Sequence, residues 1–358
     1  MNKPLAVKDT GAQASRKTVT VGRDDLQAAA DEGLISEKQA DQLWNKLLTR
    51  QANKPGFDIA NLAWYTGAVV VMIAMGWFLV NVWDLFSGGA ILATSALYAL
   101  FFLVGARHLW SKEDLKVPGG LLATLAVAMT PTAIYGLQRL LGMWDGPSAS
   151  FSYEVTRRLM LEGGTVAAGL VALRFFRFPF ITAPVSVGTM LVAMETLSLV
   201  AGHSFGWEQY RTAMLVFGLA MTVGSYLVDL RSRQGDFAFW GYLVGVCAFW
   251  TSLSLLDPSG EFGKFLYFLV NAGMMVLSVL LRRKVFLAFG AAGSVYYLGH
   301  LAFDIFENSM LFPIALSVIG IGIIFLGIMY HRNRARIESA LLGLVPESLK
   351  DWLPPARS

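Results

Sequence analysis

The sequence predicts an all-α protein, a polytopic membrane helix bundle of about ten transmembrane helices with a short N-terminal cytoplasmic helical hairpin. Three observations support this class. Of the 358 residues, 55% are hydrophobic and only 15% are charged, whereas soluble chains carry about 25% charged residues. Long runs without a formal charge recur along the chain, and the basic residues gather in alternate connections between them. This composition argues against a soluble globular enzyme and against a disordered scaffold.

The first 53 residues precede the apolar part of the chain. Residues 1–21 are polar and are predicted to form a flexible cytoplasmic tail. Residues 22–53 predict two short helices, because Gly33 can end the first and Ser36 can cap the second. Such a small unit cannot hold a core alone, so its apolar face is expected to contact the bundle, lipid or a cytoplasmic protein partner. The predicted partner-binding residues are Leu26, Leu43, Trp44 and Leu47.

Ten uncharged runs follow within residues 58–331, the predicted transmembrane domain. A helix needs about 20 residues to cross the hydrocarbon core, and nine of the runs are long enough. The fourth run qualifies when it is extended so that Glu162 reaches the outer interface and Arg174 the inner one. The predicted spans are 59–83, 85–106, 117–137, 159–176, 178–194, 212–228, 237–256, 265–281, 285–303 and 308–330.

The placement of the basic residues orients these spans. With the N-terminus inside, the even-numbered connections become cytoplasmic, as the positive-inside bias requires. If the fourth span were absent, Arg174, Arg177 and Arg231 would move outside. Both termini are therefore predicted to be cytoplasmic. The N-terminal 58 residues contain no apolar signal-peptide region, so we expect the first span to be the first insertion signal. The basic residues of these connections are Arg107, Lys112, Lys116, Arg174, Arg177, Arg231, Arg233, Arg282, Arg283 and Lys284.

Residues 335–358 mix apolar and charged side chains and are predicted to form a cytoplasmic amphipathic tail. Pro346 interrupts this pattern, and Pro354 with Pro355 ends it. The tail is expected to lie at the membrane interface. Docking of a partner on it is the alternative.

A basic and aromatic pattern recurs at three of the cytoplasmic connections. It begins at Leu173, at Leu230 and at Leu281, and the spacing between these positions is roughly the length of a two-helix hairpin. The pattern is typical of a bundle built from a repeated hairpin. The alternative is that such residues recur at the inner interface of any positive-inside protein.

Ionisable side chains at membrane depth are candidates for function, because exposing them to lipid costs at least about 2.5–3.5 kcal/mol at the helix centre. Here they predict an acidic vestibule in the outer half of the bundle, which could bind a cation or an amine, or relay protons. The alternative is that each group reaches interfacial water separately. The predicted residues of this substrate or proton path are Glu162, Glu195, His203, Tyr297, His300, Asp304 and Glu307.

Two prolines extend this prediction. Pro131 falls in the middle of the third span and Pro184 in the inner half of the fifth. A proline removes a backbone hydrogen bond, and the freed carbonyl can line a substrate path where a helix is broken. A plain packing kink is the alternative at both positions.

Cofactors, metals and nucleic acid are not expected. The chain has one cysteine, Cys247, and lacks the CxxC, P-loop, GxGxxG, HExxH and GxSxG patterns. An enzyme is therefore not favoured. The net charge of +4 is explained by the cytoplasmic connections rather than by a phosphate-binding face. His203 and His300, at similar predicted depth, leave a bis-histidine haem site as an alternative.

The N-terminal helices and the start of the first span resemble a bacterial group of predicted membrane proteins catalogued as domain of unknown function 2157. The resemblance covers about residues 22–85. It implies a cytoplasmic helical hairpin that leads into a multi-pass region of a bacterial inner membrane, and it implies no reaction and no site residue. The residues that carry it are Leu26, Gly33, Leu34, Ile35, Ser36, Gln39, Ala40, Leu43, Tyr65, Gly67 and Ala68.

Two functions are open on this basis. The first is a permease-like protein that binds or transports a small molecule or ion through the outer acidic and histidine vestibule. The second is a non-transporting membrane scaffold, envelope or assembly factor that recruits a partner through residues 22–53. The lipid bilayer is a partner in both cases, and a homo-oligomer is compatible with both.

Overall fold

The computed structural model describes residues 23–52, 59–82, 86–144, 150–202, 206–232, 235–256 and 260–300, together with isolated positions further along the chain. These residues form helices and connections and contain no strand. The N-terminal tail, the C-terminal tail and, apart from isolated positions, the tenth predicted span lie outside the described residues.

The described helices fall into two compact units, one with α1 and α2 and the other with α3 to α12. In chain order they are α1 (Arg23–Asp31), α2 (Glu37–Ala52), α3 (Ile59–Val82), α4 (Gly88–Trp110), α5 (Lys116–Ala128), α6 (Thr130–Leu140), α7 (Phe151–Phe175), α8 (Thr182–Ala201), α9 (Trp207–Arg231), α10 (Phe239–Ser254), α11 (Glu261–Leu281) and α12 (Lys284–His300).

In the first unit, α1 packs against α2 across a short turn. Gly33 adopts a φ of +70° there, a conformation that glycine reaches without steric cost. Ser36 and Gln39 cap α2 reciprocally: the Ser36 N–H donates to Gln39 Oε1 at 2.9 Å, and the Gln39 N–H donates to Ser36 Oγ at 3.3 Å. An exposed ion pair of 3.5 Å between Arg23 and Asp41 joins the two helices.

Length and composition indicate that the second unit is a membrane domain. Five of its described segments are long and apolar enough to span a bilayer, and Leu62–Val71 and Phe239–Ser254 are shorter apolar helices. α7 covers the fourth predicted span but lies outside this set, and it carries Arg157, Arg158 and Glu162 in its first half. The five segments are Gly88–Trp110, Lys116–Leu140, Pro179–Ala201, Trp207–Arg231 and Glu261–Leu281.

Consecutive helices of this domain pack as hairpins: α4 with α5 and α6, α7 with α8, α9 with α10, and α11 with α12. The connections inside these hairpins are residues 111–115, 176–181, 232–238 and 282–283, and we call the end of the domain that they share the basic end. The opposite end, where α7, α9 and α11 begin, is the far end. The recurring sequence pattern at Leu173, Leu230 and Leu281 therefore coincides with the turns of three successive hairpins.

The structure separates the two prolines. α5 ends at Ala128 and α6 begins at Thr130, with Pro131 in its first turn, and Met129 between them keeps right-handed helical dihedral angles, so the third apolar segment is interrupted by a single residue. Pro184 instead lies in the first turn of α8, after a 3₁₀ turn of residues Pro179–Ile181. Backbone N–H groups in the first turn have no partner inside the helix, so a proline at this position removes no hydrogen bond of α8. The predicted break at Pro184 is therefore wrong.

Two buried apolar clusters lie toward the basic end. The first joins α4, α5 and the connection between α7 and α8. The ring centroid of Trp110 lies 5.7 Å from that of Phe176 and 6.5 Å from that of Phe178. The second joins α10, α11 and α12 around Tyr242 and Phe286, whose rings are 5.7 Å apart. Packed side chains therefore fill the basic end of the domain.

Close contacts at glycines hold α9 against α10. A Cβ atom on Gly218 would lie 2.5 Å from the Phe249 nitrogen and 2.7 Å from the Gly245 carbonyl oxygen, and both are backbone atoms that cannot turn aside. A Cβ on Gly245 would lie 2.9 Å from the Thr222 nitrogen. Small residues allow this approach, which favours helix association in lipid.

We expect Gly218→Ala to lower the melting temperature of the purified protein in detergent by several degrees. The added methyl group would meet the α10 backbone, and overpacking of this kind costs about 1–3 kcal/mol. Gly224→Ala is the matched control in the same helix, because a Cβ there would have no atom within 4 Å. Thermal unfolding followed by circular dichroism measures both variants. Equal melting temperatures would contradict the α9–α10 contact.

Candidate functional site

The structure distributes the predicted site residues over two hairpins. Glu162 and Glu195 belong to α7 and α8, whereas Tyr297 and His300 belong to α12. The ion pair of Glu195 and the ring and ion-pair contacts of Tyr297 and His300 each lie within one hairpin. A shared vestibule stays a prediction. The remaining predicted residues, His203, Asp304 and Glu307, lie outside the described residues.

The first group consists of Arg158, Glu162 and Glu195, and we call it the carboxylate site. Arg158 Nε donates to Glu195 Oε1 at 2.7 Å, and an Arg158 Nη donates to Oε2 at 3.2 Å. This fork-shaped arrangement is a strong form of ion pair. The Glu195 side chain is 20% exposed and that of Arg158 is 41% exposed. The ion pair joins α7 to α8 near the far end.

Glu162 lies one helical turn from Arg158 on α7, and its Oε2 atom is buried without a hydrogen-bond partner. A buried carboxylate oxygen without a donor is costly. An ammonium group can donate a hydrogen bond to this oxygen, and a bound cation can coordinate it. A proton can neutralise the carboxylate. Because the site combines two carboxyl groups with one guanidinium, its chemistry favours a ligand with positive charge over an anion.

The second group lies at the far end of the α11–α12 hairpin. His300 Nε2 is 3.5 Å from Glu261 Oε1, and Glu261 also accepts a hydrogen bond of 3.2 Å from Lys264 Nζ. The Glu261 side chain is 62% exposed. Tyr297 stacks on Phe268 with 5.1 Å between the ring centroids. The Glu261 carboxylate is thus mostly exposed, whereas the His300 side chain is 12% exposed and lies beside an aromatic contact between α11 and α12.

Sequence reasoning missed a third polar group, at the basic end. Asp229, Asp236 and Arg283 form what we call the basic-end triad. Arg283 Nε donates to Asp229 Oδ2 at 2.9 Å, its Nη2 lies 2.7 Å from Asp229 Oδ1, and its Nη1 donates to Asp236 Oδ2 at 2.6 Å. The Asp229 side chain is 1% exposed and that of Arg283 is 10% exposed, whereas that of Asp236 is 42% exposed.

The surroundings of Arg283 explain why it stays charged. Burial lowers its pKa, but the hydrogen bonds to Asp236 and Asp229 outweigh burial and hold the pKa above its ordinary value. The guanidinium carbon also lies 5.1 Å from the centre of the Tyr242 ring, a cation–π distance. One sequence signal could have indicated the triad. Asp229 follows an apolar run near the C-terminus of α9, where the helix dipole disfavours a carboxylate without a cationic partner.

Two further buried polar side chains were also missed, and both have structural partners. Asn271 is fully buried in α11, accepts a hydrogen bond of 3.1 Å from Trp250 Nε1 and donates one of 2.8 Å to the Tyr267 carbonyl oxygen. Arg157 donates to the Met143 carbonyl oxygen at 2.7 Å, and its guanidinium carbon is 4.0 Å from the centre of the Trp144 ring. These contacts join neighbouring helices.

The predicted partner-binding residues of α1 and α2 are partly accessible. Leu43 is 43% exposed, whereas Leu26, Trp44 and Leu47 are half-buried. Leu34, in the turn between the helices, is 73% exposed. Within the described residues, no group of three or more histidine, cysteine, aspartate or glutamate side chains is arranged to hold a metal ion.

Comparisons of the chain with family models, with curated proteins and with solved structures find no match. The resemblance of residues 22–85 to domain of unknown function 2157 therefore stays a prediction.

We expect Arg158→Met and Glu195→Gln each to lower the free energy of unfolding by about 1 kcal/mol, and with it the melting temperature, because each leaves a partly buried group without its partner. The double variant should lose less than the sum of the two, since both partners are then removed. Arg23→Ala with Asp41→Ala is the control, because that ion pair is exposed on both sides. Strict additivity in thermal unfolding would show that Arg158 and Glu195 are not coupled.

Proposed function

We propose that this protein is a permease-like inner-membrane bundle that binds a small cationic molecule or ion at the carboxylate site and moves it across the membrane. The observation that carries the proposal is the buried Glu162 Oε2 atom without a partner, beside the Arg158–Glu195 ion pair. Ionisable groups inside a membrane domain are rare, and they commonly mark paths for ions, protons or substrates.

The three residues have different parts in this proposal. Arg158 keeps both Glu195 oxygens occupied, so Glu162 is the acceptor available to a ligand. A ligand with one positive charge satisfies the Glu162 oxygen and balances the excess negative charge of the site. Release of Arg158 from Glu195 would present a second carboxylate to the same ligand. The half-exposed Arg158 gives the site access from the far end.

We extend the proposal to ten spans with both termini in the cytoplasm. The basic end carries Arg174, Arg231, Arg282 and Lys284, and the positive-inside bias then directs this end to the cytoplasm. The carboxylate site would accordingly open toward the periplasm. We also propose that α1 and α2 form the cytoplasmic hairpin implied by the resemblance.

The binding test uses the purified full-length protein and a panel of Na⁺, K⁺, ethylammonium and tetramethylammonium chlorides at constant ionic strength. We expect at least one of these cations to raise the melting temperature, since a ligand at a hundred times its Kd stabilises by about 2.7 kcal/mol. Glu162→Gln should abolish that shift. Glu208→Gln should retain it, because Glu208 is an exposed carboxylate in the first turn of α9.

Flux in proteoliposomes completes this test. The stabilising cation should enter vesicles that contain the parent protein or Glu208→Gln and should not enter those with Glu162→Gln. If no cation of the panel stabilises the protein and neither cation nor proton flux exceeds that of empty vesicles, the permease proposal fails.

The alternative is a non-transporting membrane scaffold, envelope or assembly factor. It is favoured by the separation of α1 and α2 into their own compact unit and by the exposure of Leu34 and Leu43. In this case α1 and α2 recruit a cytoplasmic protein, and the membrane domain is an anchor.

Deletion of residues 22–52 tests the alternative. We expect the truncated protein to keep the melting transition of its membrane domain while it loses a partner that co-purifies with the full chain after crosslinking in cells. Leu43→Asp should weaken the same crosslink, and Lys46→Ser, an exposed substitution on the same helix, should not. A truncated protein with an unchanged crosslinked partner would rule out recruitment by this unit.

A further inference from the structure

The basic-end triad joins two hairpins at one end, whereas hydrogen bonds of Trp250 to Asn271 and of Ser254 to Tyr267 join the same hairpins closer to the far end. Asp229 lies near the C-terminus of α9 and Asp236 in the connection to α10, whereas Arg283 lies in the turn between α11 and α12. A single guanidinium therefore connects the α9–α10 hairpin to the α11–α12 hairpin. The rings of Tyr242 and Phe286 meet directly beside it.

The two carboxylates of the triad differ in their access to water. The Asp229 side chain is 1% exposed, so separating it from Arg283 would remove the guanidinium that balances its buried charge. The Asp236 side chain is 42% exposed, so water can solvate its carboxylate when it leaves Arg283. The triad thus combines a fixed contact with a releasable one.

The turn that presents Arg283 has a strained backbone. Arg282 has a φ of +54° and a ψ of +35°, and it is the only residue other than glycine with a positive φ among the described residues. The Arg283 N–H donates to the Ser278 carbonyl oxygen at 3.1 Å, which closes the end of α11 in the manner that usually requires glycine. Such strain persists where surrounding contacts hold it and is frequent at elements that change conformation.

We propose that the basic-end triad is a latch that holds the basic end of the domain closed. In the closed state Arg283 binds both carboxylates. In the open state Arg283 stays on Asp229 and leaves Asp236, the Arg282 turn relaxes, and the start of α12 separates from α10. The latch is independent of the proposed cation site, because it concerns contacts between hairpins at the opposite end of the domain.

The test measures water access to the start of α12. In a Cys247→Ser background, which removes the single cysteine of the sequence, Val285→Cys provides a thiol at a position that is 8% exposed. The full-length protein in lipid nanodiscs is labelled with a membrane-impermeant maleimide. We expect slow labelling when the triad is intact and labelling at least about five times faster when Asp236→Asn is added.

Two further variants sharpen this experiment. Asp114→Asn is the matched control, because Asp114 is an exposed carboxylate in another connection of the basic end, and it should leave the labelling rate unchanged. Arg282→Gly should slow labelling below that of the parent, because the closed turn is then free of strain. Hydrogen–deuterium exchange of the first turn of α12, measured without the engineered cysteine, should rise in Asp236→Asn and stay unchanged in Asp114→Asn.

Two results would overturn the latch. Equal labelling rates for Asp236→Asn and Asp114→Asn would show that the Asp236 contact does not restrain the basic end. Loss of the folded protein in Asp236→Asn would show that the triad is a fixed structural contact without an open state. Neither result bears on cation binding at Glu162, so the latch and the proposed function fail separately.

Discussion

The architecture depends on one constraint of lipid as a solvent: apolar side chains gain nothing by leaving lipid for one another, so helices associate through close packing and polar contacts. α9 and α10 show how this constraint is met. Gly218 and Gly245 let the two backbones approach, while the hydroxyls of Thr222 and Ser225 donate to carbonyl oxygens of their own helix, at 2.8 and 2.7 Å. No polar atom of these side chains has to be left in lipid. The α9–α10 hairpin is therefore held by backbone packing at its glycines.

The polar groups between helices are unequal at the two ends of the domain. At the basic end, an apolar cluster around Tyr242 and Phe286 lies beside the ion pairs of Arg283 with Asp229 and Asp236. Near the far end, the carboxylate site is half-exposed and contains a carboxylate oxygen without a donor. The two ends therefore differ in how deeply their ion pairs are buried. The proposed cation site and the proposed latch thus address different steps, one the binding of a ligand and the other the closure of the path.

The sequence predicted the presence of the described helices better than the residues at which they begin and end. Predicted spans stop at the first charge, as at 212–228, but the helix itself runs from Trp207 to Arg231, because charged residues at the interface continue the same backbone hydrogen bonds. The same reasoning explains α7, which begins well before the predicted span 159–176. Pro131 has no N–H to donate within the helix, and its segment is interrupted beside it, between α5 and α6. Pro184 does not break α8 because its effect depends on where the helix starts, which is set by the preceding 3₁₀ turn and not by the proline alone.

The candidate site residues show a sharper limit, which is that sequence reveals the type of a charge but not its partner. Glu162 and Glu195 interrupt apolar runs, so the sequence marks them as candidates. The sequence pattern places Arg158 among the interfacial charges, although Arg158 binds Glu195. In the sequence, Arg282, Arg283 and Lys284 are equivalent, because each indicates that their connection is cytoplasmic. In the structure the first and last of these are exposed, whereas Arg283 is buried against carboxylates far away in the chain. The number of basic residues predicts the orientation of a helix, because any of the three satisfies the positive-inside bias. Identifying which one is held between hairpins requires the contacts themselves, since burial, and not charge, distinguishes Arg283 from its two exposed neighbours.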